Sequence, residues 1–348
     1  MRTKGLAVGL VVLLGATGPV WADVFNMGDP NLRNLEFVPV ADPNNAGELS
    51  GAGAGGYGPD HICGAVDHTY QMGKFEVTNA QYAVFLNAVG KSGQHVPYND
   101  MYDDRMGSGR GGITRAGSEG NYVYETIPGR ANKPAIFVTW WDAWRFANWL
   151  HNGQPTGDPG PSTTEDGAYD LSLAGTGERK PGARVFLPSE DEWYKAAYYD
   201  PNKPGGPGYW DYATASDMAP SPEAPPGTDP NGSACYRFGV ALLDYTDVGA
   251  YTYKPSASAY GTFDQSGNAW EWNDTRFSEV PPGAARGVRG GSLSDGNECL
   301  QASFRYYDNY PAGPSGEFGF RVAQVPEPAT LCLLALGGLS LIRRRRRA

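Results

Sequence analysis

The sequence predicts an irregular, loop-rich α+β domain with about three helices and a set of short strands. Two features of composition favour this fold class: glycine and proline make up 76 of the 348 residues, and nine tryptophans are available for an aromatic core. The third observation is the order of the elements, in which capped helices alternate with short strands and long loops. The pattern excludes a helical bundle, and the tryptophans argue against a disordered chain.

Three helices are predicted because each candidate opens with a capping box. In this motif, a side chain at the start of the helix and one three residues later satisfy backbone N–H groups that would otherwise lack partners. Apolar residues at helical spacing follow each box. The boxes are Thr78 with Gln81, Thr139 with Asp142, and Ser189 with Glu192.

Short β-like segments lie between and after the helices, and residues 23–65 form an extended lead-in. Residues 51–56, Gly-Ala-Gly-Ala-Gly-Gly, formally match a dinucleotide-binding fingerprint. No strand is predicted before this segment and no helix after it, so we expect a flexible loop. The predicted strands are 71–77, 135–138, 184–187, 286–289 and 318–323.

The start of the chain has the form of a secretory signal peptide over residues 1–22. A basic start, residues 1–4, precedes an apolar run, and small residues flank a predicted cleavage site after Ala22. A first buried helix is the alternative interpretation.

The end of the chain, residues 326–348, has the form of a sorting signal. Pro326-Glu327-Pro328 precedes an apolar run, 331–342, which is shorter than the roughly 20 residues that span a bilayer. Five arginines, 343–347, then resist translocation. The arrangement resembles the PEP-CTERM signal, which implies transient anchoring in the inner membrane of a Gram-negative cell, cleavage by an exosortase-type protease, and association with exopolysaccharide at the cell surface. A permanent tail anchor is the alternative.

The chain between the two signals is strongly acidic. Removing both signals takes away seven basic residues and one acidic residue, which changes the formal charge from −10 to −16. Such a field repels phosphate backbones, so we expect no nucleic-acid partner. Cys63, Cys235 and Cys299 remain in the mature chain. An oxidising compartment favours one disulfide with one thiol left over, and the pairing stays open.

Six short motifs follow one another in a recognisable order within residues 66–325. They are 73–79, 134–139, 184–193, 267–272, 289–292 and 319–323. In this order and spacing they resemble the formylglycine-generating enzyme, or sulfatase-modifying factor, family. The resemblance implies a variant of the C-type-lectin-like fold. It also implies an activity, the oxidation of a sulfatase cysteine to formylglycine with copper and dioxygen.

The copper chemistry of that family implies two closely spaced cysteines shortly after residues 289–292, since Cu(I) prefers a pair of thiolates. Here Asp295 stands where the first cysteine is expected, and Cys299 lies one residue out of register with the second. We therefore predict that copper is not bound and that Cys299 is a buried residue or half of a disulfide. A residual ligand or nucleophile is the alternative.

The resemblance also implies a structural calcium site, formed by the side chains of Asp264 and Glu271 and the backbone carbonyls of Gly267 and Ala269. Hard oxygen donors on a loop are the ligands that Ca²⁺ prefers. In the alternative interpretation, Glu271 pairs with an arginine such as Arg321. A second calcium site, near Asn231, stays open.

The remaining candidate residues favour structural roles. Arg289 and Arg321 are predicted to be internal ion-pair partners. No metal-ligand spacing links the histidines, although a cationic His151 would suit the end of the second helix. The four histidines are His61, His68, His95 and His151.

These observations predict a non-catalytic binding or scaffold module at the cell surface, with a polysaccharide or a protein as partner. The first alternative is a formylglycine-generating oxidase with an altered copper site. The second is a different oxidative reaction of the kind that related iron-dependent sulfoxide synthases perform, which the histidine spacing does not support. Fold resemblance alone does not decide among them, because function depends on the site.

Overall fold

A computed structural model describes residues 34–93, 100–173, 178–237, 244–253, 256–277, 285–308, 310 and 312–326. The predicted signal peptide, His95 and the tail beyond Pro326 lie outside these ranges. Among the described helices, none has the length and apolar character that a membrane span requires.

Three α-helices form at the predicted positions: α1 (Asn79–Val89), α2 (Trp140–His151) and α3 (Glu190–Tyr198). Both hydrogen bonds of the capping box are present at each N-terminus. The predicted helix starts are therefore confirmed, because these local side chains satisfy the first N–H groups whatever the tertiary surroundings are.

The strands are short; half of those described belong to two four-stranded sheets, and the others form two-stranded pairs. The strands are β1 (Phe37–Val40), β2 (Glu48–Ser50), β3 (His61–Cys63), β4 (Tyr70–Gly73), β5 (Ile113–Ala116), β6 (Val123–Thr126), β7 (Val185–Phe186), β8 (Tyr199–Asp200), β9 (Gly208–Tyr209), β10 (Ser221–Pro222), β11 (Ser233–Ala234), β12 (Trp270–Arg276), β13 (Arg286–Arg289), β14 (Tyr306–Asp308), β15 (Phe318–Phe320) and β16 (Ala323–Gln324).

The first large sheet has the order β1-β4-β16-β7 and is antiparallel throughout. Part of the lead-in is thereby integral to the domain, since β1 pairs with β4 along its whole length. The second sheet has the order β14-β13-β12-β15, in which β12 and β15 run parallel. Pairing places Glu271 of β12 opposite both Arg289 and Gly319, so the centre of this sheet carries charged side chains.

Aromatic side chains fill the core between the sheets and the helices. Trp140 and Trp144 of α2 have ring centroids 3.8 Å apart, and Trp144 stacks on Tyr169 at 4.1 Å. The indole N–H of Trp272 donates to the carbonyl of Val138 at 2.9 Å. This packing fixes β12 against the N-terminus of α2 and thereby positions the site on the second sheet.

Candidate functional site

Glu271 lies at the centre of the second sheet in a fully buried ion pair with Arg321. Its Oε2 accepts from Arg321 Nε at 2.6 Å, and its Oε1 accepts from Arg321 Nη2 at 2.6 Å. The indole N–H of Trp193, on α3, donates to the same Oε2 at 2.7 Å. Glu271 therefore forms the arginine pair that was the alternative to calcium binding, and Arg321 has the structural role predicted for it.

Two further buried carboxylates lie near this pair. Glu76 accepts from the side-chain amide of Asn268 at 2.6 Å and from the backbone N–H of Ala269 at 3.1 Å. Asp264 accepts from the N–H of Gly249 at 2.6 Å. Burial, followed by the charges of Asp264 and Glu271, raises the pKa of Glu76 well above its ordinary value.

This cluster, Glu76, Asp264, Glu271 and Arg321, brings together three carboxylates and one guanidinium. In charge it fits a divalent cation, because an uncompensated buried carboxylate is costly. In donor geometry Glu271 fits poorly, since both of its oxygens already accept from Arg321. Sequence reasoning missed Glu76 as a member of this cluster, because the groups that bond to it, on Asn268 and Ala269, lie far away along the chain.

The region where the family places its cysteine pair contains one sulfur atom. Asp295 Oδ2 accepts from the N–H of Ser292 at 2.8 Å and from its hydroxyl at 2.6 Å. Cys299 lies in a short 3₁₀ turn (Asn297–Leu300) and is half-buried. Burial and then the Asp295 carboxylate raise the pKa of the Cys299 thiol to about 12. The thiol thus stays protonated at neutral pH, which opposes a ligand or nucleophile role.

The prediction of a disulfide is wrong for the described chain, in which Cys63, Cys235 and Cys299 are free. Cys63 lies on β3 at 3.3 Å from Arg289 Nη2, whereas Cys235 packs near Asp244. The three side chains belong to separate parts of the core. The spacing of cysteines along the sequence does not show how far apart they lie in the fold.

A second charged cluster joins α3 to the second sheet. Arg289 Nη2 and Arg305 Nη2 donate to opposite oxygens of Glu190 at 2.7 and 2.9 Å. Burial raises the pKa of Glu190, but the two guanidinium groups prevail and hold it below its ordinary value. The internal ion pair predicted for Arg289 is confirmed.

Candidate ligand atoms of His61, Cys63 and Glu190 lie within 4.8 Å of one another, a grouping that the spacing of the histidines did not reveal. The surroundings do not fit a metal. Both oxygens of Glu190 are occupied by arginines, and burial raises the pKa of Cys63 to about 12. A thiol ligand must lose its proton to bind a metal, and the neighbouring guanidinium groups repel a cation.

A polar cavity of about 370 Å³ lies beside the first turn of α3. His68 and Arg179 line it, and both bond to Glu192, each at 2.9 Å. The bond to Glu192 raises the pKa of His68. His151 behaves differently, because burial and then Arg184 lower its pKa, and its Nδ1 accepts from the N–H of Arg184 at 3.0 Å. A cation would suit the end of α2, but these contacts favour the neutral form of His151.

The loop-rich fold, with the buried Glu271–Arg321 pair on strand β12, defines a sulfatase-modifying-factor-like domain. The chain belongs to this family, since the model of the "Sulfatase-modifying factor enzyme 1-like domain" matches residues 47–326. The PEP-CTERM protein-sorting motif matches residues 324–347. This motif indicates an exported protein that an exosortase processes.

Among curated proteins, the chain is similar to "Serine/threonine-protein kinase pkn1" of Chlamydia pneumoniae, with 26% identity over 272 residues that cover 74% of this chain and 33% of that protein. The Pkn1 kinase of Chlamydia trachomatis serovar L2 is 27% identical over 263 residues, 71% of this chain and 32% of that protein. The chain thus spans about a third of the length of these relatives.

Solved structures resemble the chain at lower identity. The crystal structure of CarF gives a TM-score of 0.49 at 20% identity and covers 84% of this chain and 99% of that one. PvdO from Pseudomonas aeruginosa gives a TM-score of 0.49 at 17% identity and covers 84% of this chain and 95% of that one.

Proposed function

We propose that this chain is a cell-surface protein whose sulfatase-modifying-factor-like domain binds or scaffolds without oxidising cysteine. The observation that carries the proposal is the Asp295–Cys299 pair. A copper-thiolate oxidase requires two thiolates around one ion. Here a carboxylate replaces one sulfur, and burial together with the negative charge of Asp295 raises the pKa of the remaining thiol to about 12.

A structural calcium ion on the turn that precedes β12 is part of this proposal. Asp264 and the carbonyls of Gly267 and Ala269 would hold the ion, and Glu271 would add a ligand if it shared its oxygens with Arg321. The ion would offset the surplus negative charge of Glu76, Asp264 and Glu271. Its contribution would be to stabilise the native loop conformation.

The decisive experiment measures formylglycine formation by the surface-released protein. A sulfatase peptide containing Cys-x-Pro-x-Arg is incubated with the protein, copper and oxygen, and the product is analysed by mass spectrometry. We expect no formylglycine and no tight Cu(I) binding. Cys299→Ser should change neither result, and Cys235→Ser serves as the matched control for loss of a thiol elsewhere.

Turnover by the wild-type protein that Cys299→Ser abolishes and Cys235→Ser retains would overturn the proposal. The protein would then be an oxidase with a rebuilt copper site. Asp295→Cys addresses the geometry directly. It adds a second thiol, so Cu(I) affinity should rise, but Cys299 stays out of register and turnover should remain absent.

A further inference from the structure

A group of aromatic rings lies at the surface beside the altered copper region. Tyr57 stacks on Phe304 with ring centroids 5.1 Å apart and an interplanar angle of 19°. Tyr306 lies 5.9 Å from Tyr57, and the buried ring of Trp270 lies 5.4 Å from Tyr306. We call Tyr57, Phe304 and Tyr306 the aromatic surface. Tyr57 is 50% exposed, and the other two rings are partly exposed.

The backbone holds Tyr57 in place, although it follows the glycine-rich segment for which a flexible loop was predicted. The N–H of Arg305 donates to the carbonyl of Tyr57 at 2.9 Å, and the N–H of Gly51 donates to the carbonyl of Ser303 at 2.9 Å. A Cβ at Gly56 or Gly58 would lie about 2 Å from the carbonyl oxygen of Ser303 or Arg305. Glycine at both positions permits this close approach, which ties the loop to residues 303–305.

This arrangement orders a ring that folding does not bury. Fixing a half-exposed tyrosine costs conformational entropy and returns little burial energy. A ring ordered in advance of binding lowers the entropic cost of binding a flat ligand. The aromatic surface therefore has the properties of a preorganised stacking site.

The groups around the aromatic surface define the chemistry of the ligand. Asp308 follows Tyr306 by two residues on β14, so the two side chains share one face of the sheet, and burial followed by the charges of Asp308, Tyr57 and Asp295 raises the pKa of Tyr306. Aromatic faces stack against the C–H faces of sugar rings, and carboxylates accept hydrogen bonds from sugar hydroxyls. The charge of the whole chain, −10, repels polyanions.

We propose that the aromatic surface binds a polysaccharide whose sugars carry no acidic groups. The inference deepens the proposed surface-binding function and rests on it. Tyr57 supplies the exposed stacking face, Phe304 supports that ring from beneath, and Tyr306 extends the surface towards Asp308. Repetition of neutral rings along a polymer suits a surface of adjacent aromatic rings better than a single small ligand does.

The test uses surface-released protein and isothermal titration calorimetry with three soluble probes of equal length: a β-1,4-glucose hexamer, an N-acetylglucosamine hexamer and a hexamer of uronic acid. We expect binding to one or both neutral hexamers and none to the uronic acid hexamer. Tyr57→Ala should weaken binding at least tenfold with an unchanged Tm, whereas Tyr57→Phe should retain it. Tyr253→Ala is the matched control, because Tyr253 is 48% exposed in a different segment.

Three results would overturn the inference: no binding to either neutral hexamer, binding to the uronic acid hexamer alone, or wild-type affinity in Tyr57→Ala. None of them depends on the sulfatase-peptide assay. A protein that binds sugars and also forms formylglycine would refute the non-catalytic proposal and leave the aromatic surface standing. A protein that neither binds these sugars nor forms formylglycine would refute the aromatic surface and leave the non-catalytic proposal standing.

Discussion

The carboxylates around Arg321 are not equally useful as probes of calcium binding. Glu271→Ala would leave the Arg321 guanidinium buried without its carboxylate, which typically costs about 3–5 kcal/mol whether or not calcium binds. A loss of stability in that variant is therefore no evidence for a metal. Asp264 is the sharper probe, because it is buried in the same cluster and the described hydrogen bonds of the Glu271–Arg321 pair do not involve its atoms.

We predict that the wild-type protein melts at a higher temperature in calcium than in chelator, because an ion that binds only the native state stabilises it by mass action, by about 2.7 kcal/mol at a hundredfold excess over Kd. Asp264→Asn should remove most of this increment and keep the Glu271–Arg321 pair. Calorimetry in both buffers measures it, with the exposed Asp158→Asn as control. Equal Tm values for the wild type in calcium and chelator, with no metal in the purified protein, would exclude the site.

For individual residues, some buried ion-pair partners could be predicted from the sequence and others could not. The pairing of Glu271 with Arg321 could be anticipated, because both residues stand in recognisable segments and a buried charge needs a partner. Glu76 could not be placed, since the residue to which it bonds, Asn268, lies 192 positions away. The separation of the three cysteines was hidden for the same reason.

At the scale of elements, the first turn of α3 connects distant parts of the chain. Glu192 caps the helix through the N–H of Ser189, accepts from Arg179, and bonds to His68 of the segment between β3 and β4. Because His68 also lies 2.8 Å from Asp67, two carboxylates favour its protonated form. The packing of this segment against α3 should consequently depend on pH.

We predict that His68 stabilises the fold at low pH. Its pKa is raised in the folded state from an ordinary value of 6.5. The stabilisation is therefore fully present below pH 6.5 and is lost as the pH rises through the higher folded value. Unfolding in urea between pH 5.5 and 8.5 should show this decline for the wild type and a smaller decline for His68→Gln. Burial raises the pKa of Asp274 to about 7, which acts in the same direction in both proteins.

The matched control for this prediction is His61→Gln, since His61 is an exposed histidine on β3, whereas the histidine that bonds to Glu192 is His68. That variant should keep the wild-type pH profile. If His68→Gln also kept the wild-type profile, the contribution of the His68–Glu192 bond to stability would be refuted.

The sequence predicted elements with local signals and failed where tertiary contacts decide. The helix starts were correct because each capping box contains its own hydrogen-bond partners. Residues 135–138 were predicted as a strand, but Phe137 has a φ of 60°, which breaks the extended conformation. Strand β12 was missed because its alternation of apolar and polar side chains lasts for four residues, Trp270 to Asn273, and is followed by the polar residues Asp274 and Thr275.

At the scale of the whole molecule, the acidic surplus belongs to the surface. Arg145, Arg289, Arg305 and Arg321 are buried and paired with carboxylates inside the domain. Because most of these carboxylates are buried as well, positive and negative charges nearly balance in the described interior, and the surplus lies among the exposed acidic groups. A surface of this kind attracts cations rather than phosphate polymers.

In contrast to the acidic domain, both ends of the chain carry basic residues. Five arginines follow the sorting motif, and because such a cluster resists translocation we expect the exported domain to stay tethered until the tail is cut. We expect mass spectrometry of surface-released protein to show a chain that begins near Asp23 and ends near Pro326. Glu327→Ala should leave the tail attached and the protein in the membrane fraction, whereas Glu36→Ala should be released normally. Recovery of residues 343–347 on protein outside the cell would contradict processing at this motif.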